Sequence, residues 1–528
     1  MTVFWFLAVT IPYLALIAYL GLKGFQSTKN SSDYLIGGRS IHPYVMAISY
    51  GATFISTAAI VGFGGIAANF GLSLLWLPAL NILVGIVIAF IFFGKKTRSI
   101  GLKLGAHTFP EFLARRVDSR FMQVFTGGII FLIMPLYAAA VLIGASRILE
   151  GLLGIPYLYS VAIFSIIVAA YVIMGGLKGV MYTDALQGSL MFTGMLFLLC
   201  FVYVRLGGVI KAHEALTSMT HMVPETLQNI GHTGWTSMPA SGSPLWWIIF
   251  SSLVLGVGIG VLAQPQLVVR FMTVKSNMEL NRAVCIGSLF IFVTTVTAYI
   301  VGALSNVFFL ETAGTIAVAA SDGNADKVIP NFISAALPSW FGYLFMLVIL
   351  SAAMSTLSSQ FHAIGTSIGR DIYQKGIARN AKREHEILIT RIGIVVSILF
   401  TVFLSIRMGE SIIARATAIF FGFMASGFLA PYIASLYWKR LTRTGMIAGS
   451  VSGVVVSLFG FLFLHAKEAS VFGICRMLTG QDVLIGGIMA VVDPLVYALP
   501  VSIIVTVSAS LLSAVTNTDT VSLIFDEG

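Results

Sequence analysis

Four hydroxyls, Ser355, Thr356, Ser358 and Ser359, stand within five residues inside the apolar run 344–368. At helical spacing Ser355 shares a side with Ser358 and Ser359, three and four residues on. A hydroxyl left unpaired in hydrocarbon costs roughly 2–7 kcal/mol, so the cluster must face protein, water or an ion. Hydroxyl and carbonyl oxygens are hard ligands and suit a hard cation. The competing reading is helix packing, because Ser, Thr and Ala let backbones approach and bond across the contact.

Two other stretches offer backbone rather than side-chain chemistry. GATFISTAAIVGFGG (51–65) and LVLGVGIGVLAQPQLVV (253–269) place glycines, hydroxyls and a proline at the middle of apolar runs. A helix that breaks there frees carbonyls and amides, which membrane depth tolerates only around a cavity or a bound solute. Close packing through small residues is the alternative for both. Asp184 follows Thr183 in GGLKGVMYTDALQG (175–188). The stretch reads as a turn and a helix start capped by Thr183, with Asp184 favoured by the helix dipole in the first turn. The other reading is a carboxylate that reaches a cation. His362 lies seven residues beyond Ser355 on the same helical side and could relay a proton or be a hydrogen-bonded structural histidine.

These residues need a membrane scaffold. The chain has 528 residues, 58% apolar and 10% charged, which excludes an ordinary soluble enzyme. Its apolar runs are long enough to span and lack barrel-type alternation, so the class is all-α and polytopic. Thirteen runs are read: 3–22, 43–69, 72–93, 121–146, 156–176, 185–205, 244–269, 283–308, 335–368, 388–406, 411–436, 445–466 and 488–512. The first reads as a retained helix rather than a signal peptide. A net charge of +10 suggests nucleic acid until the cations are placed. With the N-terminus outside and the C-terminus inside, 23 of the 31 Lys and Arg fall in inner segments, as the positive-inside rule requires. HTFPEFLARR (107–116), in the most basic loop, reads as a short interfacial helix started by Thr108 and Pro110. His213, His221 and His232 suit no metal template and read as solvated. The three cysteines are scattered, without CxxC spacing.

The interrupted helices are the second and seventh runs, and they cross in opposite directions. They open two five-helix blocks, 43–205 and 244–436, related by inverted topology. That is the plan of secondary transporters whose site lies at mid-membrane between the repeats. The remaining divisions are an extra helix and loop over 1–42, an outer loop over 206–243 and extra helices with a short tail over 437–528.

The segments DYLIGGRS (33–40), GATFIST (51–57), GGLKGVMYTDALQ (175–187), AQPQLVVRFM (263–272) and AAMSTLSSQ (352–360) resemble those of the sodium:solute symporter family in order and spacing. The resemblance implies a leucine-transporter-like fold and a multi-pass protein of the cell membrane. It implies no enzyme activity. Sodium is then held between the second run and the serine-rich run, by the carbonyls of Ala52, Ile55 and Ala352 and the hydroxyls of Ser355 and Thr356. Some members hold a second sodium ion, whose matching positions are Asp184, Ser355, Ser358 and Ser359. The implied solute pocket takes in Thr53, Phe54, Ser56, Thr57, Val257, Val261 and Gln264. The proline branch has aromatic residues where this chain has Val257 and Val261, and an acidic residue at Phe54. The resemblance therefore points to a small organic anion, such as a monocarboxylate or pantothenate, with an amino acid or sugar as the alternative. A channel, a membrane enzyme and a transporter-like sensor are weaker fits. There is no acidic ring, no paired catalytic constellation at depth and no soluble signalling domain in residues 513–528.

Overall fold

The computed structural model describes residues 3–26, 35–377, 383–514 and 518–525. Asp33 and Tyr34 of the motif at 33–40 lie outside them. Every regular element among the described residues is a helix, and the only strand-like pairing is Ile41 beside Val274. Eleven described helices are long and apolar enough to cross a membrane, and Tyr157–Ala169 is a shorter apolar stretch.

We number the helices that matter here α1 (Val3–Gln26), α2 (Pro43–Phe54), α3 (58–70), α4 (76–103), α5 (Phe109–Arg116), α6 (Arg120–Leu153), α7 (Tyr157–Arg205), α8 (Pro244–Ala263), α9 (Pro265–Phe271), α10 (Asn277–Ala313), α11 (Ser339–Thr366, wound on to Ile377), α12 (Arg383–Arg407), α13 (Ile413–Tyr437), α14 (Arg443–Leu464) and α15 (Leu495–Leu512). All thirteen apolar runs fall on these helices. The count of long helices differs because run 43–69 splits into α2 and α3, while runs 156–176 and 185–205 both lie on α7.

Both breaks form, and local chemistry explains them. α2 closes on Ile55, which is extended (φ −87°, ψ 98°) and donates its N–H to Gly51 O at 2.7 Å. Ser56 Oγ then accepts from Ala58 N at 3.1 Å and starts α3, the usual competition of a hydroxyl with the helix ladder. At the other break Pro265 carries no N–H and disfavours helical dihedrals at the residue before it. Gln264 is accordingly extended (φ −79°, ψ 115°) between α8 and α9.

Three expectations are corrected. α7 runs unbroken from Tyr157 to Arg205, so 175–188 is neither a turn nor a helix start. Thr183 caps nothing there; its hydroxyl donates back to Val180 O and Gly179 O at 2.8 and 3.2 Å within the helix. The side chains of 170–176 lie outside the described residues. α5 starts on Thr108, whose hydroxyl accepts from Glu111 N, but it is buried rather than lying on a surface. Arg116 at its end is fully buried and donates to Ser435 O and Trp438 O. His232, expected in solvent, is buried within 3.0 Å of Asn69 O. Beside it the fully buried Trp235 donates Nε1–H to Ala68 O and accepts from Leu72 N, both at 2.7 Å. The loop over 207–243 thus satisfies the last carbonyls of α3, which the helix itself leaves unpaired.

α3 is also fixed from behind. A Cβ on Gly302 of α10 would fall 1.9 Å from Gly64 O, and one on Gly65 would fall 1.9 Å from Ala325 O. Backbone meets backbone at both points, the close approach that glycine permits between membrane helices.

Candidate functional site

The break in α2 faces α11, and there the serine cluster is buried. Ser355 Oγ donates to Ala52 O at 2.9 Å and lies 3.3 Å from Ala352 O. Thr356 Oγ1 reaches Ala52 O at 3.3 Å and Thr53 O at 3.2 Å. Four of the five expected oxygen donors, from Ala52, Ala352, Ser355 and Thr356, therefore meet between two helices about 300 positions apart in sequence. Ile55, the fifth, forms the break itself. A carbonyl–hydroxyl set with no carboxylate suits a monovalent cation held weakly.

The second set, Asp184, Ser355, Ser358 and Ser359, is arranged differently. Ser358 Oγ donates to Ser355 O at 3.1 Å. The carboxylate of Asp184 and the hydroxyl of Ser359 meet at a guanidinium. Arg270 Nη2 donates to Asp184 Oδ2 at 2.9 Å, to Ser359 Oγ at 2.6 Å and to Thr53 Oγ1 at 2.6 Å. Its Nε donates to Ser49 Oγ at 3.0 Å, and Ser49 Oγ donates on to Asp184 Oδ2 at 2.7 Å. The whole network is buried. Arg270 follows the apolar run 244–269 directly, and its partner lies 86 positions upstream on another helix. No local signal marks the pair.

A small central cavity opens at the break. Phe54, Ile55, Ser56 and Val257 line it, together with Asn81, Tyr137, Thr295, Tyr299, Thr417 and Phe421, which the motifs do not mark. Tyr137 donates to Ser56 Oγ at 3.2 Å and stands edge-on to Phe421, with ring centroids 5.2 Å apart. Asn81 is buried and its Oδ1 has no hydrogen-bond partner among the described residues. The other expected pocket residues turn away. Thr53 serves the Arg270 network, Thr57 donates to Val141 O at 2.6 Å, Val261 packs on Gly85, and Gln264 donates to Gly260 O at 3.0 Å. A polar residue inside a run, such as Asn81 or Tyr137, is the one signal by which sequence could have found part of this wall.

On the side of the basic 95–120 loop a second small cavity is lined by Arg270, Ser359, His362, Thr366, His107 and Thr108. Beyond it, Glu111 of α5 pairs with Arg370 at 3.1 Å and with Arg115. Burial opposes the charged form of Glu111, but His107, Arg370 and Arg115 outweigh it and hold its carboxyl well below the usual range. Asp371, also buried, accepts from Gln123 Nε2 at 2.7 Å and Thr108 Oγ1 at 2.8 Å.

A family model described as the sodium:solute symporter family matches residues 34–453. Sodium/proline symporter 2 of Staphylococcus saprophyticus is 26% identical, with 89% of each chain covered. The osmoregulated proline transporter OpuE of Bacillus subtilis is 26% identical over 88% of this chain and 90% of its own. Among solved structures, a Na+-coupled sialic acid symporter in a substrate-bound outward-open state superposes with a TM-score of 0.72. It covers 96% of this chain and 98% of its own at 19% identity, a likeness of fold. The matched span takes in both broken helices and the serine-rich α11, and on that ground this chain belongs to the sodium:solute symporter family, multi-pass membrane transporters that couple a small solute to sodium.

Proposed function

We propose that the chain imports a small amino acid of the proline class together with sodium by alternating access. The observation that carries the reading is the central cavity. Phe54, Tyr137, Tyr299 and Phe421 contribute aromatic faces to it, and its lining contains no Lys or Arg. Aromatic faces attract an ammonium group, and a cavity without a basic side chain is a poor match for a bare organic anion. A carboxylate can use the hydroxyls and Asn81, or amides freed at the break. The two proline transporters named above point the same way through their own substrate, so the organic-acid expectation gives way to an amino acid.

Sodium is proposed to bind at Ala52, Ile55, Ala352, Ser355 and Thr356. There it ties broken α2 to α11 and orders the backbone at Phe54–Ser56 around the solute. With the N-terminus outside, sodium runs down the membrane potential, and each ion gains about 2.3 kcal/mol per 100 mV. Uptake of labelled proline, lactate and pantothenate into proteoliposomes, with and without a sodium gradient, tests this. The expected result is sodium-driven proline uptake that excess unlabelled amino acid suppresses. Sodium-driven uptake of a monocarboxylate or pantothenate, with amino acids inert, overturns the substrate.

A further inference from the structure

Asp184 is not used up by its ion pair. Its Oδ2 takes Arg270, Ser49 and, at 3.4 Å, Thr53. Its Oδ1 is buried and has no hydrogen-bond partner among the described residues. A carboxylate has room for about four hydrogen bonds, so one side of this anion is open to another cation. The carboxylate is one residue removed from the sodium set. Thr53 joins the two, because its carbonyl accepts from Thr356 while its hydroxyl meets Arg270 and stands 3.0 Å from Ser359 Oγ. Ser359 follows Ser355 by one helical turn on α11, and Ser359, His362 and Thr366 continue the polar stripe into the second small cavity beside the basic loop. Oxygens therefore run from the Ser355–Thr356 cluster, past Asp184, to that cavity, and the guanidinium lies across the run.

Arg270 also ties together the elements that would have to part. It belongs to α9, bonds Ser49 and Thr53 of α2, pairs with Asp184 of α7 and bonds Ser359 of α11. Two of these four are the halves of the broken helices on the same side of the molecule.

We infer that Arg270 is a positioning residue that latches this side of the path shut, and that a sodium ion leaving the Ser355–Thr356 cluster competes with it for the carboxylate of Asp184. The ion arriving at Oδ1 weakens the hold of Asp184 on the guanidinium. The released Arg270 frees α2 and α9 from α7 and α11, and the ion passes along α11. The inference rests on the sodium route proposed above and not on the identity of the solute.

Two measurements that need no solute test it. The first is labelling of Ala363→Cys, which lines that second cavity, by an impermeant maleimide applied from that side. It is done with the exposed Cys200 and Cys285 replaced by serine. The second is binding of radioactive sodium to the purified protein. Arg270→Gln is expected to speed labelling severalfold and to lower half-saturating sodium by roughly tenfold, a coupling common between linked sites. Arg270→Lys should restore both values toward wild type. Because Arg270→Gln leaves Asp184 buried alone and could fail to fold, the neutral pair Asp184→Asn/Arg270→Gln is measured beside it. That pair should label fast but lose the gain in sodium affinity. Labelling at the wild-type rate in the neutral pair, or a sodium curve unmoved in folded Arg270→Gln, overturns the latch. Absence of sodium binding to the wild-type protein would instead remove the sodium route on which it rests.

Discussion

Ser355→Ala separates the two roles a buried hydroxyl can have. In the folded protein Ser355 Oγ gives one good hydrogen bond, to Ala52 O at 2.9 Å, and one longer contact to Ala352 O at 3.3 Å. The net stability of such a neutral bond is about 1 kcal/mol. Ala52 O keeps Thr356 as a donor at 3.3 Å, so no buried carbonyl is orphaned. The melting temperature should therefore fall by only a few degrees. A contact to a charged group is worth more, roughly 1.5–3 kcal/mol, and each 1.4 kcal/mol is a factor of ten. Loss of one sodium ligand should thus raise half-saturating sodium by roughly 10- to 100-fold. The assay is initial uptake against sodium concentration at fixed membrane potential, with thermal unfolding of the same preparation. Thr356→Ala should behave alike. The double variant should shift by less than the product, because both hydroxyls meet the same carbonyl. A Ser355→Ala protein that melts normally and keeps the wild-type sodium curve would refute the reasoning, since the hydroxyl would then be packing alone.

Other perturbations follow from groups outside the spans and from close contacts. Glu111→Gln leaves Arg370 and Arg115 without their carboxylate and should destabilise by about 3–5 kcal/mol, seen as a lower melting temperature. Because the Glu111 carboxyl is held below its ordinary value, its contribution is present above pH 4 and is lost as the pH falls through the depressed value. The melting temperature of wild type should drop more steeply below pH 4 than that of the Gln variant. Asp326 is opposite in sign: burial pushes it up to about 6. Its protonated form is the stable one, so stability is gained below the unfolded value and lost as the pH rises through 6, by up to about 3 kcal/mol. Melting between pH 3.5 and 7.5 should show that loss in wild type and not in Asp326→Asn. Gly302→Ala places a methyl 1.9 Å from Gly64 O and should cost at least 1–3 kcal/mol, measured as lost folded yield in detergent.

How much was legible depends on how local the cause is. The breaks at Ile55–Thr57 and Gln264–Pro265 could be read because a hydroxyl that caps its own chain and a proline without an N–H act within a few residues. The serine cluster stood out because polar atoms inside an apolar run demand a partner, and the family motifs then supplied Ala52 and Ala352. Rotation about a helix axis was not legible. Thr53, Thr57, Val261 and Gln264 flank the breaks as expected, yet packing turns them toward Arg270, Val141, Gly85 and Gly260. The Asp184–Arg270 pair joins two helices through a separation in sequence that no periodicity spans. Thr183 shows the limit of capping rules: the same hydroxyl that can start a helix can also bond back inside one, and the continuous backbone of α7 decides.

The tip of the 207–243 segment is stitched to the closing carbonyls of α3 through Trp235 and His232, while most of residues 209–229 stay on the surface. Anything rigid that grips that surface gains leverage on one half of a moving helix. A nanobody or a fused reporter domain placed there would serve both as a fiducial for particle alignment and as a clamp for trapping a single state.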